Sequence, residues 1–133
     1  MGRTRPRTAA GIVLDTGALI ALERGDKRMI ALLRRALAQG RAFRVPAGVV
    51  GQAWRNGRVP VILRRFLRSE GVEIIPLDEQ FARSCGELCA AASASDVIDA
   101  SVVIVARERQ DLTVTTDPGG LRHLDPAAQM ITL

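Results

Sequence analysis

Apolar residues along this chain come in short runs, separated by polar stretches and alternating between two spacings. Residues 11–15 (GIVLD) form a continuous apolar run ending on an acid, the pattern of a parallel strand buried on both faces. Thr16 and Gly17 then turn the chain into an apolar, helix-favouring stretch over residues 18–24. Asp26 is placed to cap a helix over residues 27–38, where Met29, Ile30, Leu33 and Leu37 recur at helical spacing and Gly40 supplies the stop. Residues 43–45 read as a short strand closed by Pro46. A helix over residues 47–56, carrying Val49, Val50, Ala53 and Trp54, ends at Gly57. Pro60 opens the next, with Val61, Ile62, Leu63, Phe66 and Leu67 as its apolar face. Residues 72–75 form a strand stopped by Pro76, and Asp78 caps a helix over residues 79–91. Residues 93–96 open another helix, running to about Glu108. Residues 112–115 form a strand that delivers Asp117, 118–124 a short helix, and 130–133 a last strand.

Strand and helix alternate without hairpin signals, which predicts an α/β three-layer sandwich around a mainly parallel, roughly five-stranded sheet. With 133 residues, 47% of them hydrophobic, the chain has room for one core and is too apolar for disorder. The expected organisation is a basic, flexible tail at residues 1–10 and one domain over 11–133. No apolar run approaches the roughly 20 residues that span a bilayer. The opening stretch does not read as a signal peptide, so the expected location is cytoplasmic and away from membrane. Cys85 and Cys89, four apart and without further soft ligands nearby, read as small core residues. The single histidine, His123, reads as a surface or helix-end residue.

The charge is unevenly spread, and that changes the picture. The formal net charge is +5, and Arg3, Arg5 and Arg7 of the tail carry three of those positives. Between Lys27 and Ser69 there is no Asp or Glu, while Lys27, Arg28, Arg34, Arg35, Arg41, Arg44, Arg55, Arg58, Arg64, Arg65 and Arg68 all fall there. A one-sign segment of this length suits a polyanion: nucleic acid or an acidic protein tail. An arginine-rich solvated face would read the same way.

Ligands of open α/β sheets gather outside the carboxyl ends of the strands. Asp15 ends the first strand and Asp117 follows a later one; if the two strands are central, both acids reach one rim. Asp96 and Asp99, three apart at a helix start, share a face. Four carboxylates in one cleft repel each other, and a divalent cation removes that penalty. All-oxygen ligands select Mg²⁺ or Mn²⁺, ions that generate hydroxide from water and stabilise charge on a phosphate. Each acid also has a plain structural reading: Asp15 and Asp96 as helix caps, Asp117 as a turn residue before Pro118. Asp99 resists one, because it lies a turn inside a helix flanked by Val97, Ile98, Val102, Val103, Ile104 and Val105, where a bare charge is costly. An α/β phosphatase or receiver-like domain using Asp15 as nucleophile is another way to use these acids, but Lys27 is the chain's only lysine and does not match it.

Four segments, taken in order, resemble the motifs of the PIN-domain ribonucleases, and in particular the VapC-like toxins of toxin–antitoxin pairs. They are residues 12–18 (IVLDTGA), 45–54 (VPAGVVGQAW), 96–103 (DVIDASVV) and 113–118 (TVTTDP), and the resemblance runs from about Gly11 to the end of the chain. It implies a parallel-sheet sandwich, Mg²⁺- or Mn²⁺-dependent hydrolysis of an RNA substrate, a homodimer and a cognate antitoxin that covers the site. By this resemblance Asp15, Asp99 and Asp117 bind metal directly or through water, and Thr16 and Thr115 are hydroxyl supports; Asp96 is counted with them among the catalytic and metal-binding residues, and either Asp96 or Asp99 can fill the family's position on this helix. The sequence departs from the pattern at Gln52, where the family usually has Glu. An amide cannot serve as a base and is a weaker ligand; Asp96 is the candidate to replace the lost charge. A catalytically impaired module that binds RNA or a protein partner is the alternative that Gln52 motivates.

Overall fold

A computed structural model describes residues 10–54 and 61–133. The expected tail at residues 1–9, the helix end at 55–57 and the helix start at Pro60 lie outside these. Five strands form one sheet: β1 (Ile12–Leu14), β2 (Phe43–Pro46), β3 (Val72–Ile75), β4 (Leu112–Thr115) and β5 (Met130–Thr132). Their order is β3-β2-β1-β4-β5 and every pairing is parallel, so the sheet is wholly parallel.

Among the described residues seven helices cover the sheet: α1 (Thr16–Glu23), α2 (Lys27–Ala38), α3 (Ala47–Trp54), α4 (Val61–Leu67), α5 (Glu79–Ala92), α6 (Val97–Arg109) and α7 (Pro118–Leu124). One layer gathers α2, α3 and α4 around α1; the other gathers α5 and α7 around α6, which lies along β1, β2 and β4. Central strands covered on both faces are buried throughout, and Ile12, Val13 and Leu14 are at most 2% exposed. No single helix among the described residues is long and apolar enough to cross a membrane.

Several element boundaries differ from the sequence expectation; the ends of α5 and β5 shift by one residue, and three larger differences have local reasons. The first strand is shorter than residues 11–15, because the Asp15 side chain accepts the Ala18 N–H at 2.9 Å and caps α1, which starts at Thr16 instead of Ala18. Pro46 does not close β2 from outside; it is the strand's last residue, in register with Ile75 of β3. The sixth helix does not open at residues 93–96. Ser93 is the left-handed C-cap of α5 (φ 54°), and Asp96 caps a helix that begins at Val97. Cys85 and Cys89 are buried and free, and His123 is exposed in the last turn of α7.

Candidate active site at the sheet's switch point

Strand order reverses between β1 and β4, since the chain moves outward through β2 and β3 on one side and through β5 on the other. That reversal opens a crevice at the carboxyl ends of the two central strands. Asp15 follows β1 directly, its backbone N–H bonded to the Val114 carbonyl at 3.3 Å. Asp117 follows β4. The structure therefore brings these two acids to one rim, across 102 positions of sequence.

Thr115, fully buried at the end of β4, joins them. Its hydroxyl oxygen accepts the Asp117 N–H at 2.9 Å, and its hydroxyl hydrogen-bonds the Asp15 carboxylate. Burial raises the pKa of Asp15, and the charge of Asp117 adds to that; the bonds from Thr115 and Ala18 oppose it without winning. Asp117 is exposed and, although it stands at the N-cap position of α7, its side chain caps nothing.

The other two acids arrive on α6. Asp96 is exposed and its Oδ1 accepts the N–H groups of Ile98 and Asp99, both at 3.0 Å, so the cap reading holds for it. Asp99 sits half-buried in the first turn of α6. Its carboxyl is pushed up to about 6, first by burial and then by the charges of Asp96, Asp15 and Asp117. Those four carboxylates therefore share one field. Among the described residues, no lysine or arginine pairs with any of them.

Two close approaches carry these elements together. A β-carbon at Gly48, in the first turn of α3, would overlap the end of the Ile98 side chain, so α3 and the start of α6 meet closely there and a larger residue would make Ile98 move. One at Gly17 would overlap the Thr116 hydroxyl, which lies over the start of α1. The same packing brings Gln52 to Thr16, whose hydroxyl donates to Gln52 Oε1 at 2.5 Å. Gln52 thus meets α1, and α3 as a whole packs against both α1 and the start of α6. Neither the Gly17–Thr116 nor the Gly48–Ile98 contact was expected from the sequence; a glycine at a predicted turn and another inside a predicted helix were the available signals.

The donor set suits a hard cation: all its ligand atoms are oxygens, and the mutual repulsion at Asp99 is the kind a positive ion relieves. Among the described residues, no three acidic, histidine or cysteine side chains close around a single point. Mg²⁺ tolerates this, since it keeps several waters and takes one or two carboxylates directly.

A family model, described as PIN domain, matches residues 12–125. No curated protein matches the chain. Among solved structures, the chain is similar to VapBC2 from Rickettsia felis bound to a promoter DNA fragment, at 16% identity and a TM-score of 0.69, covering 91% of this chain and 97% of that one. It is also similar to VapC20 from Mycobacterium tuberculosis, a toxin that cleaves the sarcin-ricin loop: 18% identity, TM-score 0.65, 83% of this chain and 92% of that one. The third is FitAcB from Neisseria gonorrhoeae, at 18% identity and a TM-score of 0.63, over 91% of this chain and 96% of that one. At these identities the likeness is one of fold.

Proposed function

The chain belongs to the PIN domain family, which includes nucleases, and from that premise we propose that it is a Mg²⁺- or Mn²⁺-dependent ribonuclease acting as the toxin of a toxin–antitoxin pair in the cytoplasm. The observation that carries the proposal is the convergence of Asp15, Asp96, Asp99 and Asp117 on one rim without a cationic side chain among the described residues, strongly enough to move Asp99 to about 6. An acidic crevice repels a phosphodiester unless a cation stands between them. When bound, that cation supplies Lewis-acid charge to the phosphate and acidifies water.

The chain's own residues have distinct tasks in this reading. Asp15, Asp99 and Asp117 would hold the ion, directly or through its water ligands. Asp15 is fixed by the α1 cap, and Thr115 orients Asp15 through its hydroxyl and Asp117 through its backbone. Asp96 adds charge beside Asp99 while tying down the first turn of α6. Thr16 and Gln52 brace each other at the rim. Basic side chains elsewhere favour an RNA substrate: setting aside the three tail arginines leaves 16 of the 19 basic residues, and setting aside the four aspartates leaves 10 of the 14 acidic ones.

The antitoxin has a suitable surface. Between α2 and α4 lies a mainly apolar groove of about 220 Å³, lined by Leu22, Leu33, Leu37, Ile62, Phe66 and Val72, with Ser69 and Glu70 at the segment that follows α4. Leu37 and Ile62 are 55% and 46% exposed, and Arg34, Arg35, Arg64, Arg65 and Arg68 are exposed on the same two helices and just beyond α4. An acidic segment with an apolar stripe fits both the groove and its charge. A homodimer is part of the same reading, supported by Ile74 and Leu77 exposed at the β3 edge of the sheet.

The test is direct. Protein freed of any antitoxin should cut total RNA at discrete positions with Mg²⁺ or Mn²⁺; the cutting should vanish with EDTA and in Asp15→Asn. Induction should arrest growth, relieved by co-expressing the adjacent small open reading frame. Gln52 favours a second reading, a module that binds RNA or a protein partner without cutting, and RNA binding without cleavage would select it.

A further inference from the structure

The first turn of α7 reads Pro118-Gly119-Gly120, an uneconomical way to build a seven-residue helix. Glycine inside a helix is destabilising relative to alanine, and it is normally retained for a positive φ or for space. Neither glycine here has a positive φ, since the positive-φ glycines are Gly25, Gly40 and Gly71. Space is the remaining reason, and the two glycines differ in it.

A β-carbon at Gly119 would stand 3.6 Å from Asp117 Oδ1, an ordinary contact. One at Gly120 would stand 3.2 Å from Asp99 Oδ2 and 3.9 Å from Asp117 Oδ2, between two carboxylates that come from different elements. The first distance is tighter than an ordinary contact, so the Asp99 carboxylate would have to give way by a few tenths of an ångström. Gly120 is thus the point on the backbone where even a methyl group intrudes between these two acids.

We propose that Gly120 is a positioning residue: its missing side chain keeps open the space between Asp99 and Asp117 that a partly hydrated divalent cation takes up. The inference rests on the metal-dependent reading above. It adds a residue that supplies no ligand atom and that neither the acid pattern nor the hydroxyl supports would single out. It also gives the acids of α6 and β4 a shared third wall, contributed by α7.

Calorimetric titration of Mn²⁺ into the full chain tests this, with the electron paramagnetic resonance signal of free Mn²⁺ as a second readout. Gly120→Ala is expected to weaken Mn²⁺ binding by about tenfold, the lower end of what displacing a ligand's support costs. Its melting temperature should not fall, because alanine favours the helix and the neighbour that must yield is a movable carboxylate. Gly119→Ala should bind Mn²⁺ within about twofold of wild type. Equal affinities in wild type and Gly120→Ala would overturn the inference while leaving the metal site intact. So would equal losses in both alanine variants, which would point to helix flexibility instead of room beside Asp99. Absence of Mn²⁺ binding by the wild-type chain would remove the metal-dependent reading, and the inference with it.

Discussion

Asp15 and Asp111 are buried to nearly the same degree, 6% and 7% exposed, at opposite ends of the two central strands. Asp111 precedes β4 at the amino end of the sheet, where its Oδ2 meets Arg44 Nη1 at 2.6 Å. Arg44 reaches on to Glu73 at 3.4 Å, and Arg109 meets the same Glu73 at 3.3 Å, so charges of alternating sign run across β4, β2, β3 and α6. Asp15, at the carboxyl end, receives only neutral donors and feels the charges of Asp99 and Asp117. The same residue type, equally buried, is neutralised from within at one end and not at the other. A charge settled by its own chain belongs to stability. A charge left for an outside ion to settle is a candidate for function.

Exchanging each acid for its amide separates the two roles. Asp15→Asn removes the charge but preserves the cap, since asparagine caps helices as well as aspartate does. Its melting temperature should hold or rise as repulsion is relieved, while Mn²⁺-dependent RNA cleavage should fall by at least about 1000-fold, beyond the 10–100-fold typical of losing an outer support. Comparable cleavage by wild type and variant would dissolve the functional half of the comparison.

Asp111→Asn should do the reverse. It leaves the partly buried Arg44 with only the more exposed Glu73 as counter-charge, a change expected to cost about 3 kcal/mol of stability in urea unfolding, at the low end for a broken buried pair because Arg44 keeps some solvent contact. Cleavage per folded molecule should be unchanged. A loss of activity at full stability would show that the two ends of the sheet are not independent.

Acidity tests the same contrast more gently. Asp99 stands near 6 in the metal-free fold against an ordinary 3.8, so the folded state holds this proton more tightly than the unfolded chain does. The stability that this protonation contributes is present below about pH 4 and is lost as pH rises through 6. Metal-free protein should therefore be favoured by mild acid at this residue, with a higher melting temperature near pH 5 than near pH 7.5. Mn²⁺ should reverse that order, because the cation requires the ionised carboxylate. Its affinity should weaken by up to about tenfold per pH unit below 6, read by calorimetry. A pH-independent affinity between 5 and 7 would remove Asp99 from the ligand set.

Most of this layout was legible in the sequence because its signals are local. Periodicity located every strand, and the bounds of α2, β3, β4 and α7 agree with the pattern to the residue. Four motifs in order gave the family. What was not legible depends on contacts across the chain. Nothing near Asp111 marks it as the partner of Arg44, 67 positions away. Nothing near Gly17 or Gly48 announces Thr116 or Ile98. Asp96 was ambiguous for the opposite reason. A cap and a ligand want the same side chain at the same place, and in the fold one residue both caps α6 and adds to the field at Asp99.

That double role yields the smallest of the expected effects. Asp96→Asn keeps an acceptor for the Ile98 and Asp99 N–H groups, so α6 should retain its first turn and its stability. The substitution removes one of the three charges acting on Asp99, and metal affinity should drop by about threefold, much less than for a direct ligand. The variant also tests whether Asp96 stands in for the acid absent at Gln52. Gln52 bonds Thr16 and Asp96 bonds the first turn of α6, with no hydrogen bond between the two, so the reading requires them to substitute for each other through the shared ion. If they do, Asp96→Asn should cost less in a Gln52→Glu background than in the wild type, a coupling that a four-variant cycle of cleavage rates measures directly. Strictly additive effects would mean that Asp96 is a cap that happens to be charged. The acid missing from α3 would then have no replacement on α6.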